Sequence, residues 1–234
     1  NDFRNLENIF AKCSLKIKKI LLDSYVKGSM ISKLNPKVDT FFYIQIKKDK
    51  SKIFYIENDA IKNEQKFNFG SEIVFKDICK VTSLNYNTVR NIVSNDEIKS
   101  KTTTFEILGK KSFKNQKFKK IKKKLILDIA EARIQELSNF ILLKNINFKC
   151  YSQNTRIIFL EIEDSQSLKY FKEIYESNFV LNDSSELRLI KSLGIEETIN
   201  TAINITKFGW KKEAIPVVKL KNSFFSRIFK SIFQ

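Results

Sequence analysis

The apolar residues of this chain follow two periods, and the switches between them mark out its elements. Phe3, Leu6, Ile9 and Phe10 sit at helical spacing and predict a helix over 3–12. Ser24–Leu34 reads as a second helix, closed near Pro36, with a β-like stretch at Lys16–Leu22 (KIKKILL) between the two. Phe41–Lys47 (FFYIQIK) and Lys52–Glu57 (KIFYIE) predict two strands around the polar turn 48–51, and Asn58–Asp59 turns the chain into a third strand over 60–69. After Gly70, the positions Ile73, Phe75, Ile78 and Val81 predict a helix, 83–85 a break, and 87–93 a second short helix, a pair with the outline of a small helix-turn-helix. Residues 94–123 are polar. Leu125–Leu143 is the clearest helix, with Leu125, Ile126, Ile129, Ile134, Leu137, Phe140 and Ile141 on a 3.6 period. Arg156–Glu161 (RIIFLE) has the continuous apolar centre of a buried, parallel strand. Gln166–Ser177 and Thr198–Phe208 read as helices, and 179–181 and Glu186–Ile190 as short β-like pieces.

The C-terminal end differs in kind. Residues 210–221 read as a linker with Pro216 in its middle, and NSFFSRIFKSIFQ follows. Phe224, Phe225, Ile228, Phe229, Ile232 and Phe233 form one helical stripe; Arg227 and Lys230 lie on the other face among serines, and Asn222 or Ser223 can cap the start. Such a helix suits a membrane interface, where each cation near an anionic leaflet contributes about 1 kcal/mol. The same pattern also suits a terminal helix docked on the protein's own core, or a helix held in a partner's groove.

Composition narrows the chemistry. The 234 residues contain 42% hydrophobic residues, enough for a core, but only 5 Gly, where typical usage of roughly 7% would give about 16. No GxGxxG, GxxxxGK[ST] or adjacent glycine pair occurs, so backbone cradles for phosphate of those kinds are absent from the sequence. The absence of His removes the commonest general base and metal ligand. Cys13, Cys79 and Cys150 fit neither a zinc pattern nor a disulfide framework, as expected in a reducing compartment. No apolar run reaches the roughly 20 residues of a spanning helix, and the chain starts at Asn1 with no signal-peptide pattern, so either a fragment or a true start upstream is expected. The 43 Lys and Arg against 26 Asp and Glu give a net charge of +17, which favours anionic partners within the roughly 10 Å reach of unscreened charge at 0.1 M salt. Abundant Lys, Asn, Ile and Phe together also fit a compositional background for that charge.

Nine lysines between Lys110 and Lys124, with Phe113 and Phe118 among them, fit a solvated loop, an anionic membrane or single-stranded nucleic acid. The pairs Glu161/Glu163 and Glu196/Glu197 have no nucleophile or metal pattern beside them, so no acid–base catalysis is assigned.

Three stretches in order resemble FtsA, the bacterial actin-like cell-division family. KFNFGSEIVFKDICKVT (66–82) resembles its strand, glycine pair and Asp-Ile helix start, with Gly70 as one surviving glycine and Asp77–Ile78 matching. LILDIAEARIQELSNFI (125–141) resembles the helix carrying Glu-x-Arg and a following Glu, here Glu131, Arg133 and Glu136. EAIPV (213–217) followed by SFFSRIF (223–229) resembles the family's linker and membrane-targeting helix.

The resemblance implies an α/β, actin-like ATPase fold (ribonuclease H-like). It covers the second half, with a first part of subdomain 2A at 1–66, an inserted 2B at 67–150 and a return to 2A at 151–208. A linker at 209–221 and the amphipathic helix at 222–234 follow. It implies a nonenzymatic adaptor on the cytoplasmic side of the membrane at the division septum, with the FtsZ C-terminal tail as partner through the 2B region, anionic inner-leaflet lipids, self-association into filaments, and no nucleic acid. ATP is the family's cofactor, but the family's loops are changed here. Gln45 stands where the family has Asp in the first phosphate hairpin, Lys47, Lys48 and Asp49 replace glycines, and Ser51 keeps a hydroxyl. Glu161, Ile162, Glu163 and Asp164 stand where a Thr-Gly-Gly-Gly loop would follow the buried strand, and acids there oppose an anionic nucleotide. The family's Glu and Lys of the nucleotide-side helix fall near Arg90 and Val93. The alternatives are a functional ATPase, with hairpin lysines replacing amide contacts to phosphate, and a basic nucleic-acid-binding protein.

Overall fold

The computed structural model describes residues 2–58, 60–94, 106–113, 116–180, 185–192 and 194–209. Among them the chain forms two compact units, one from its two ends (up to Pro36 and from Gly194), the other from Lys37–Leu193. These boundaries do not coincide with those of the five segments expected from the resemblance.

The second unit is built on a five-stranded sheet of β1 (Phe41–Ile46), β2 (Ser51–Glu57), β3 (Ala60–Phe67), β4 (Ile157–Ile162) and β5 (Glu186–Ile190), in the order β3-β2-β1-β4-β5. β1, β2 and β3 form an antiparallel meander; β4 runs parallel to β1, and β5 parallel to β4. β1 (FFYIQI) is buried at every position because it has a strand on each side and both its faces are covered. β3 (AIKNEQKF) alternates in exposure, and its outward Lys and Glu residues suit an edge strand.

One face of the sheet, with Phe42, Ile44, Ile46, Ile53, Tyr55, Ile158 and Leu160, shares a single hydrophobic cluster with α3 (Glu72–Thr82), α4 (Tyr86–Ser94), α5 (Lys123–Ser138) and α7 (Ser165–Asn178). α5 continues as a π-helical turn over 139–143, and α6 (Ile146–Tyr151) leads into β4. Residues 67–150 thus supply helices to the same core as the sheet. Arg133 of α5 pairs with both Asp77 of α3 and Glu136, bringing together two residues that the sequence marked in separate stretches. The break between α3 and α4 falls where expected: Ser83 takes left-handed backbone (φ 52°), and the Asn85 side chain accepts the Thr88 amide at 2.8 Å.

The first unit contains α1 (Asp2–Lys12), α2 (Asp23–Leu34) and α8 (Ile195–Phe208). α2 lies beside α8, and a groove of about 530 Å³ between them is lined by Leu21, Val26, Ile199, Ala202 and Ile203.

Two expectations are corrected. Lys16–Leu22 forms no strand, because an extended stretch becomes one only with a hydrogen-bonded neighbour, and the sheet ends at β3 and β5. Phe179 is the buried cap of α7 rather than the start of a β piece, its amide donating to the Tyr175 carbonyl at 3.1 Å; residue 181 lies outside the described residues. The linker after Gly209 and the 222–234 helix also lie outside them.

Candidate functional site

Adjacent parallel strands put their carboxyl ends at one edge of a sheet, where α/β proteins commonly hold ligands. Here β1 and β4 end together, and the β1–β2 turn and the starts of α3 and α7 meet them there. The parallel register sets Gln45 beside Glu161, and the two-residue period places Tyr43 on the same face as Gln45. All three are buried. The Tyr43 hydroxyl donates to Glu161 Oε2; Gln45 Nε2 donates to the same oxygen at 3.1 Å and to Glu163 Oε1 at 3.0 Å. Lys47 Nζ lies 2.9 Å from Glu163 Oε1, and the Glu163 amide donates to the Ile46 carbonyl at 2.9 Å.

The turn itself faces α3. The Lys47 amide donates to the Lys50 carbonyl at 2.9 Å, and the carbonyls of Lys47 and Lys48 accept the amides of Ser71 and Glu72, each at 2.9 Å. The next two amides, of Ile73 and Val74, donate to Gly70 and Ser71 carbonyls. A helix start usually leaves such donors open to an anion; at α3 they are bound within the protein. Gly70 makes the approach possible: a Cβ there would lie 2.2 Å from the Lys47 carbonyl oxygen and 2.7 Å from that of Lys48. The buried Ser51 hydroxyl donates to the Phe69 carbonyl at 2.8 Å, fastening the same turn.

The charged rim is also internally matched. Asp164 caps α7 by accepting the Gln166 amide at 3.1 Å, and its other oxygen lies 3.3 Å from the Ser71 hydroxyl and 4.0 Å from Arg90. Arg90 donates to Gln166 Oε1 at 2.6 Å and to the Tyr86 hydroxyl at 2.9 Å, and its guanidinium lies over the rings of Phe75 and Tyr86. Lys48, more than half exposed, is 3.8 Å from Glu72.

Of the residues that the sequence marked for a nucleotide, Gln45, Lys47, Glu161 and Glu163 form one network, and Lys48, Ser51 and Gly70 gather at the adjoining turn. The eight residues marked for a membrane, Phe224, Phe225, Arg227, Ile228, Phe229, Lys230, Ile232 and Phe233, lie outside the described residues. Tyr43 and Ser71 escaped the sequence reading. Tyr43 could have been found from strand alternation, two residues before Gln45; nothing local singles out Ser71.

The network makes a stability prediction. Glu161→Ala removes the acceptor shared by Tyr43 and Gln45 while both stay buried. An unfolding free energy lower by about 2–3 kcal/mol in urea denaturation is expected; an unchanged midpoint would show that the network contributes no net stability.

No protein-family model and no curated protein matches the chain. Solved structures do. The ethanolamine utilization protein EutJ from Carboxydothermus hydrogenoformans superposes with a TM-score of 0.51 at 11% identity, over 85% of this chain and 58% of that one. The pCBH ParM non-polymerisable quadruple mutant gives 0.51 at 13% identity, over 77% of this chain and 52% of that one. With its β3-β2-β1-β4-β5 sheet, the chain has the actin-like ATPase fold. It spans a little over half the length of these two structures.

Proposed function

We propose that this chain acts as a noncatalytic actin-fold adaptor of the kind FtsA represents. It holds the FtsZ polymer to the cytoplasmic face of the membrane at the division septum. The observation that carries the noncatalytic part is the junction of the β1–β2 turn with α3. The turn's carbonyls, not its amides, meet the helix start, the first α3 amides are already bound, and Lys47 and Arg90 face Glu163 and Asp164. Phosphate would have to displace these partners before making contacts of its own.

The membrane part rests on the order of the motifs and on the amphipathic 222–234 segment. Binding by one such helix is reversible, and self-association into actin-like filaments along FtsZ multiplies the anchors and raises avidity. The FtsZ tail is assigned to residues 67–150 by the resemblance.

Titration calorimetry with Mg-ATP tests the noncatalytic reading. No saturable heat is expected at millimolar nucleotide, a threshold corresponding to about 4 kcal/mol of binding free energy. Saturable micromolar binding would favour a functional ATPase instead.

A further inference from the structure

The basic stretch before α5 pairs with itself as an antiparallel arm. The Leu108 amide donates to the Ile121 carbonyl at 2.9 Å and the Lys123 amide to that of Glu106 at 2.8 Å, with an antiparallel bridge between Ile107 and Lys122. The arm folds back on the α3–α4 turn. Gln116 receives the Asn85 amide and donates to the Ser83 carbonyl, both at 3.0 Å, and Lys119 Nζ reaches that same carbonyl at 2.9 Å. Lys80 and Val81, at the end of α3, precede this turn; Lys80 is exposed, and Val81 is 59% exposed. On the arm, Lys110, Lys111, Lys117 and Lys120 are exposed around Phe118, itself 45% exposed. Glu106, the carboxylate of the arm, is taken by Lys123 at 3.1 Å.

We propose that the exposed lysines around Phe118 on this arm are a second contact with an anionic lipid surface, apart from the C-terminal segment. Its chemistry matches a leaflet of anionic headgroups: exposed lysine point charges for the diffuse negative field, and the partly exposed Phe118 for the boundary beneath it. Nucleic acid fits less well. The arm's exposed cations are lysines rather than bidentate arginines, and with Phe113 buried only Phe118 is left as a stacking platform among its described residues. The proposal stands whether or not the C-terminal segment binds membrane.

The test uses the full chain and vesicles of phosphatidylcholine, with and without phosphatidylglycerol. Lys111→Glu, Lys117→Glu and Lys120→Glu together are expected to weaken binding to the anionic vesicles by at least about tenfold, and the loss should shrink as salt rises. Binding to neutral vesicles should not change. The glutamine versions of the same three positions, which introduce no new acids, are expected to give a smaller loss in the same direction and serve if the glutamate variant melts early. Unchanged affinity for anionic vesicles in both sets overturns the proposal. So does a single-stranded oligonucleotide or acidic peptide whose binding is lost in these variants while vesicle binding is kept. The Phe225→Glu, Phe229→Glu chain reads the C-terminal segment separately: a loss there with none in the lysine variants overturns the arm alone, and the reverse overturns the tail alone.

Discussion

Gly70→Ala is expected to lower the unfolding free energy by about 3 kcal/mol. Gly70 has no positive φ, so its backbone is open to any residue, and shortening the unfolded chain's conformational list would by itself favour alanine by about 0.4–1 kcal/mol. The decisive quantity is distance. The added Cβ would lie 2.2 Å from the Lys47 carbonyl oxygen and 2.7 Å from that of Lys48, and both atoms are backbone, which no rotamer change can clear. The turn must move off α3, and the bonds from Ser71 and Glu72 to those two carbonyls are lost with it. Gly194→Ala is the comparison without a clash: its Cβ would meet only the Glu197 side chain, at 3.8 Å, and the entropy gain is offset by the poorer alanine cap of α8, so a change within about 1 kcal/mol is expected. Urea denaturation followed by circular dichroism reads both. Equal midpoints for Gly70→Ala and the parent would mean that the turn does not seat on α3 as described.

Phe225→Glu combined with Phe229→Glu should reduce affinity for anionic vesicles by at least about a hundredfold. The two positions are four residues apart, on one face of the helix that the sequence predicts. Fully burying a Phe contributes about 1.5–3 kcal/mol, so losing two removes about 3–6 kcal/mol, or roughly 10²–10⁴ in affinity. A single cation contributes about 1 kcal/mol, so Lys230→Gln should cost no more than about tenfold. Apolar insertion, not charge, therefore carries the expected binding of this segment. Co-sedimentation equal to the parent's for the double Phe variant would contradict the membrane assignment of 222–234.

Much of the fold was legible because its strands carry strong local signals. FFYIQIK and KIFYIE read as strands, the polar turn between them fixed the hairpin, and the unbroken apolar centre of RIIFLE announced a strand buried on both faces. KIKKILL carried an equally β-like composition and formed no strand, since a ladder partner is a tertiary resource that composition does not encode. The candidate site was legible one residue at a time. Gln45 and Glu161 could each be marked as departures from a family pattern. Their pairing depends on the parallel register of β1 with β4, set by segments 116 positions apart.

The sequence by itself determined where glycine is scarce, most of the strands and helices, and that residues 222–234 carry an amphipathic pattern. Those properties follow from side-chain volume, hydrophobic period and charge, all of them local. Only the tertiary structure decided what the remaining Gly70 is for. It gives the β1–β2 turn room to place two carbonyls on the start of α3, a contact between segments more than twenty residues apart. Only the tertiary structure, likewise, joined Lys47 to Glu163 and Arg90 to Asp164. Whether a charge is open to a ligand or already matched depends on neighbours brought up by the fold, and no pattern along the chain contains that distance.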